Sequence, residues 1–177
     1  TTWLSPDGPR QTQPLWNLQD TAPFHASATR DEVQDAEKDI ETLLDGVGLA
    51  PGSAMPELGE RNSNTSADLD SLAKFVLEGI PAPRALAITS QQEERGREVF
   101  LKAGCQQCHA GTHWTISALP SSLNSISGIE ITSALHDVGT ATQNDVLGQD
   151  GFDVPTLLGL GASAPYLHDG SAESLEA

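Results

Sequence analysis

Apolar residues recur at helical spacing in three stretches of this chain, with polar residues between them. This spacing predicts helices over about residues 30–45, 69–80 and 90–103. The first and third stretches open with capping-box sequences, Thr29–Glu32 and Ser90–Glu93, and glycine or proline follows each stretch. Glycine, proline, serine and threonine are frequent in the rest of the chain, which indicates loops. The pattern therefore predicts an all-α fold with long irregular loops.

Composition narrows the class of protein. The chain has 177 residues, enough for one domain or two small ones, but only 37% of them are hydrophobic and 5% are aromatic. Such a composition gives a thin core, which a buried cofactor would complete. No stretch approaches the roughly 20 apolar residues that a membrane-spanning helix needs, so we expect no membrane span.

The chain is strongly acidic, with a formal net charge of −16. This charge repels nucleic acid and anionic membrane surfaces, so we exclude both as partners. No lysine or arginine follows Lys102, and the C-terminal part should therefore present a surface of one sign. Acidity can simply keep a secreted protein soluble. The alternative is that it steers a partner, which would be a redox protein with a basic docking face.

Residues 105–109 read Cys-Gln-Gln-Cys-His and contain both cysteines of the chain. This spacing is the attachment signature of a c-type haem, in which two thiols bond to the porphyrin and the following imidazole binds the iron. A thioredoxin-like redox pair would want a βαβ context, and zinc would need two further ligands, of which only His113 is near. A disulfide would close too short a loop to stabilise much. We predict one covalent haem c on Cys105 and Cys108, with His109 as proximal iron ligand.

The two ends of the chain resemble one another at a separation of 142 residues. The matched pairs are Leu18 and Leu160, Ala22 and Ala164, Pro23 and Pro165, and Phe24 and Tyr166. We infer slightly more than one period of a repeat, of which only the second period contains a haem motif.

The haem motif and three further segments together resemble the bacterial di-haem cytochrome c peroxidase superfamily, which includes the tryptophylquinone-forming enzyme of methylamine dehydrogenase biogenesis. The segments are His136–Thr140, Val154–Leu157 and Ala164–Ser171. The resemblance implies cytochrome c-like helices around a covalently bound haem, in a protein exported to the periplasm or the cell exterior. Family members carry two haem motifs and this chain carries one, so we expect a longer multihaem protein or a further haem-bearing chain.

The resemblance also implies a division of the chain. Residues 1–80 would form the rear half of a preceding cytochrome-like unit or a set of closing helices, 81–89 a linker, and 90–177 a cytochrome c haem domain. The family's own closing helix would follow this last segment. We therefore predict that the helix at 69–80 packs across Gly96 and Phe100, or that a neighbouring chain covers that face.

The resemblance implies that Phe100 and Tyr166 line the haem, and it favours His168 as the sixth ligand of the iron. His113 is only four residues from His109, too close to reach the opposite face of the ring. The alternatives that stay open are Met55, His136 and a ligand from outside the chain.

Three functions are compatible with these features. We expect a c-type cytochrome that transfers electrons through one haem, as part of a larger exported redox protein or complex. The alternative is the haem domain of a cytochrome c peroxidase-like enzyme, which would need an open iron face, a distal acid–base group and a second haem. A structural or interaction module of a surface assembly is the third. The single haem motif favours the carrier, so we assign no catalytic residue.

Overall fold

The computed structural model describes residues 2–5, 8–49, 61–84, 87–117, 135–141 and 151–176. Its main elements are three α-helices: α1 (Ala36–Leu44), α2 (Ala67–Glu78) and α3 (Ser90–Lys102). Two short antiparallel strand pairs accompany them in this part of the chain: β1 (Thr2–Ser5) with β2 (Gly8–Gln11), and β3 (Leu135–His136) with β4 (Phe152–Asp153). The prediction of a helical chain is thus confirmed in part. The strand pairs show that the fold is not purely α.

Local capping sets where the helices begin. Before α3, Thr89 Oγ1 accepts a hydrogen bond from the Gln92 backbone amide at 3.2 Å, and the Gln92 side chain accepts one from the Thr89 backbone amide. The capping box therefore starts one residue earlier than predicted. The stretch predicted as one helix from residue 30 opens instead with a 3₁₀ turn, Val33–Asp35, capped by Glu32. Helix α1 follows that turn directly.

Helix α2 packs on the 3₁₀ turn Val33–Asp35. Leu69 and Ala73 are its buried residues, and the Gln34 amide nitrogen donates to Asp70 at 3.0 Å across the contact. The opposite face of α2 is open, because Phe75 is 60% exposed. Within the described ranges, no helix is both long and apolar enough to span a membrane.

Helix α3 has no buried residue, and Val99 is 66% exposed. A Cβ atom built on Gly96 would meet no described atom within 4 Å, apart from the backbone of its own helix. The prediction that α2 packs across Gly96 is therefore wrong, since α2 packs on the 3₁₀ turn instead, with Leu69 and Ala73 as its buried residues. The other possibility, cover by a neighbouring chain, stays a prediction, as does the division into segments 1–80, 81–89 and 90–177.

The repeat of 142 residues is confirmed by the backbone. Two backbone features of the first segment have counterparts in the second: the isolated bridges Phe24–Arg30 and Tyr166–Ala172, and the positive φ of His25 and Leu167. The equivalent loops thus have the same backbone conformation although most of their side chains differ.

The two repeats also contact each other reciprocally. The Gln11 amide donates to the His168 carbonyl at 2.7 Å, and the Asp153 amide donates to the Ala26 carbonyl at 2.7 Å. The two donors, Gln11 and Asp153, are equivalent positions of the repeat, and so are the two acceptors, Ala26 and His168. Such a reciprocal pattern is the signature of an isologous, two-fold contact. Trp16 Nε1 donates to the carbonyl of Leu158 at 3.0 Å, and Leu158 is the counterpart of Trp16 in the second repeat. A residue that contacts its own counterpart lies near the pseudo-two-fold axis.

Candidate haem site

The haem motif lies in a tight turn directly after α3. Gly104 takes a φ of +78°, which favours glycine, and lets the chain leave the helix into the 3₁₀ turn Cys105–Gln107. The amides of Cys108 and His109 both donate to the Cys105 carbonyl, at 3.2 and 2.8 Å. Both cysteines are half-buried free thiols. The turn thus holds two thiols and one imidazole together, as covalent haem attachment requires.

The ring of His109 is oriented by a backbone carbonyl. Its Nδ1 lies 3.1 Å from the Trp114 carbonyl oxygen, which can only accept a hydrogen bond. Nδ1 must therefore carry the proton and donate, and the lone pair of Nε2 is left for a metal. Metal-binding histidines commonly have this arrangement, in which the nitrogen that does not bind the metal donates a hydrogen bond and so fixes the ring orientation and the tautomer. His109 accordingly fits the role of proximal iron ligand.

A short segment, Trp114–Ser117, connects the haem motif to strand β4, and we call it the clamp segment. Its Ile116 amide donates to the Cys108 carbonyl at 3.0 Å. On its other side Thr115 Oγ1 donates to the Val154 carbonyl at 2.5 Å, and Ser117 Oγ donates to the Asp153 carboxyl. Thr115 and Ser117 are both buried. Sequence reasoning missed this segment because its partners are distant in the chain.

Phe100 lies beside the clamp segment. Its ring meets that of Trp114 edge to face, with centroids 5.4 Å apart. Trp114 is also the residue whose carbonyl orients His109. Trp114 thus contacts both Phe100 and His109, and the haem-lining role of Phe100 stays a prediction.

The other predicted haem residues belong to the second repeat. The His168 ring stacks on buried Phe152, with centroids 3.9 Å apart and an interplanar angle of 16°. The Tyr166 hydroxyl donates to the Leu160 carbonyl at 3.0 Å, inside its own segment. His136 pairs with Phe152 across strands β3 and β4. The sixth iron ligand stays a prediction, and Met55 lies outside the described residues.

Two imidazole nitrogens near these elements are buried without a hydrogen-bond partner among the described residues: His113 Nδ1 and His136 Nε2. A buried polar atom without a partner is costly, so a polar group from outside the described residues would relieve this cost. No group of three or more His, Cys, Asp or Glu side chains in the described part of the chain could hold a bare metal ion. This donor set fits a haem better than zinc, which takes four protein ligands in structural sites.

Asp153 and Asp137 have opposite electrostatic environments. Burial raises the pKa of Asp153 to about 8, against a smaller lowering by the Val154 amide. The backbone amides of Ala141 and Gly139 lower the pKa of the exposed Asp137 by donating to its carboxylate, at 3.1 and 2.7 Å. Asp137 thus closes its own turn within the His136–Thr140 motif. Asp153 is a half-buried acid that sequence reasoning did not find, although a lone carboxyl between Phe152 and Val154 was its signal.

No protein-family model matches the chain, and no curated protein sequence matches it. Among solved structures, the fold is similar to that of a MauG-like protein associated with microbial copper homeostasis, with a TM-score of 0.57 and 18% sequence identity. The match covers 99% of this chain, which spans 60% of the length of that protein. The similarity shows the fold of the chain.

Proposed function

We propose that this chain carries one covalent haem c on Cys105 and Cys108 and transfers electrons through it. The observation that supports this best is the hydrogen bond between His109 Nδ1 and the Trp114 carbonyl, because it prepares Nε2 for iron. Haem supplies one-electron iron chemistry when bound. The chain supplies the two thiols, the proximal imidazole and, through Phe100 and Trp114, an aromatic cover.

The proposed electron-transfer partner is a redox protein with a basic docking face, in an exported complex. The net charge of −16 favours such a partner, and the exposed acids Asp137, Glu173 and Glu176 lie on the haem-bearing part of the chain. Export is part of the proposal, because it follows from the resemblance to cytochromes that receive their haem outside the cytoplasmic membrane.

Haem attachment is tested first. Denaturing mass spectrometry of the chain, expressed with a cytochrome c maturation system, should show one haem adduct. A Cys105→Ala, Cys108→Ala double variant should lose all haem on acid-acetone extraction. The matched control changes Gln106 and Gln107 to Ala, keeps both thiols and should retain one adduct. Haem that survives extraction in the cysteine variant would contradict the proposed site.

Electron transfer is tested next. Stopped-flow mixing of the reduced holoprotein with a basic cytochrome should show fast electron exchange that slows as salt screens the attraction. The same experiment with an acidic cytochrome is the control: its exchange should be slow at low salt and should become faster as salt screens the repulsion. A rate that does not depend on salt would contradict electrostatic docking.

A peroxidase-like haem domain is the second candidate, and the internal repeat favours it. The contact between Gln11 and the His168 carbonyl mirrors that between Asp153 and the Ala26 carbonyl, so the N-terminal repeat has the frame of a second cytochrome-like unit. Peroxidase turnover would need a second haem at that frame. Rapid consumption of hydrogen peroxide by the holoprotein alone would favour this candidate over the electron carrier.

A further inference from the structure

A half-buried carboxyl, that of Asp153, is connected to the haem motif by the clamp segment. The Ile116 amide donates to the Cys108 carbonyl, and the adjacent Ser117 donates its hydroxyl to Asp153. Thr115 reinforces the link with its bond to the Val154 carbonyl. The haem attachment site and Asp153 are therefore hydrogen-bonded to the same short segment.

Asp153 lies where the two repeats meet. Its amide donates to the Ala26 carbonyl of the first repeat, and it pairs with Leu135 of strand β3. The ionisable side chains on the elements packed against it are His25 beside Ala26, His113 before the clamp segment, His136 and Asp137 on or next to β3, and His168, whose ring stacks on Phe152. The carboxyl itself is half-buried. Removal from water disfavours the charged form, which raises the pKa of Asp153 to about 8.

We propose that Asp153 is the proton site of a proton-coupled electron transfer at this haem, an inference that rests on the proposed function. With haem bound, the Asp153 carboxylate would accept one proton from solvent for each electron that a one-electron reductant delivers to the site. It would release that proton when the electron leaves. One electron and one proton would enter together, so the total charge of the site would not change.

Proton uptake would accompany reduction because reduction of the haem removes one positive charge from the site. A ferric site carries one positive charge more than a ferrous one, and that charge favours the ionised carboxylate. Reduction withdraws this support, and in a poorly solvated interior the lost attraction is larger than in water. Between the Asp153 pKa values of the two redox states, uptake of one proton per electron changes the reduction equilibrium tenfold per pH unit, or about 59 mV.

The experiment is a spectroelectrochemical titration of the holoprotein from pH 5 to pH 10, after a pyridine haemochrome assay has confirmed one haem. We expect the midpoint potential of the wild-type protein to fall with pH by up to about 59 mV per unit in a window around pH 8. In Asp153→Asn the potential should be flat there. Asp153→Gln is the second variant, because Gln11 occupies the equivalent position of the first repeat. Asp20→Asn, an exposed change with the same loss of charge, is the control and should keep the wild-type slope.

Each outcome is decisive. A wild-type potential that is independent of pH overturns the inference without touching the proposed function. A slope that persists in both Asp153 variants assigns the proton to another group, such as a haem propionate, and also overturns it. A chain that binds no haem overturns the proposed function together with this inference. Loss of the slope in the Asp153 variants but not in Asp20→Asn supports it.

Discussion

Replacing Asp35 with asparagine should remove a pH-dependent cost to stability. Asp35 is 1% exposed, and its carboxyl accepts a hydrogen bond from the Asn62 side chain at 3.0 Å. The nearby Glu32 carboxyl, itself buried, accepts from the amides of Asn62 and Ser63. Burial raises the pKa of Asp35 to about 7, and the charges of Glu32 and Asp31 add to this although the Asn62 bond opposes it.

The sign and the size of the effect follow from that pKa. Below about pH 4, Asp35 is protonated in the folded and the unfolded protein alike. As the pH rises to 7, the unfolded chain loses the proton and the folded chain keeps it, so the free energy of unfolding falls. A difference of about 3 pKa units corresponds to at most about 4 kcal/mol. An asparagine side chain does not titrate, so Asp35→Asn should lack this contribution and gain stability relative to wild type as pH rises.

Urea denaturation of wild type and Asp35→Asn at pH 4 to 8 measures this difference. The control is Asp70→Asn in the same region, for which the sign is opposite: bonds from the Gln34 side chain and the Asn64 amide lower the pKa of Asp70. Asp70 should therefore stabilise the fold near neutral pH and lose that effect as the pH falls. If Asp35→Asn lost stability with rising pH as steeply as wild type, Asp35 would not be the titrating group and the reasoning would fail.

Two further predictions concern the contact between the repeats, and urea denaturation tests both. Gly159→Ala should lower the free energy of unfolding by roughly 1–3 kcal/mol, because φ is +76° there and a Cβ would lie 2.5 Å from Trp16 Nε1. Gly161→Ala, where a Cβ meets no described atom within 4 Å, should be nearly neutral, and equal effects would contradict the clash. Trp16→Phe should cost about 1–2 kcal/mol by leaving the Leu158 carbonyl without its donor, and no loss would show that water replaces it.

The sequence predicted those elements whose cause is local. Helices α2 and α3 were found within two residues of their observed starts, because caps and apolar stripes act over one or two turns. The haem motif was likewise recognisable, since five adjacent residues carry its chemistry. The repeat separation of 142 residues could be recognised from residue identities alone, whereas the reciprocal contacts between the repeats could be found only in the structure.

Long-range partners explain what the sequence did not predict. The clamp segment depends on bonds between residues 39 and 36 positions apart, Thr115 to Val154 and Ser117 to Asp153, and nothing in either local stretch announces them. The short strands β3 and β4 lie in a region whose sequence predicts loop, and they pair residues 18 and 16 positions apart, Leu135 with Asp153 and His136 with Phe152. The packing of α2 across α3 was predicted wrongly, because an apolar stripe shows that a helix has a buried face without showing what buries it.

At the pseudo-two-fold contact, backbone groups form the structural frame, and the side chains at equivalent positions of the two repeats differ. Backbone groups make the reciprocal bonds, so the same frame accepts Gln11 in one repeat and Asp153 in the other, or Ala26 in one and His168 in the other. Neither Asp153 nor His168 is therefore needed as a side chain to build that frame. Their ionisable groups occur in the repeat that contains the haem motif, where partial burial of the Asp153 carboxyl costs stability. The frame does not require this carboxyl, so its cost accords with the role as proton site that we propose for Asp153.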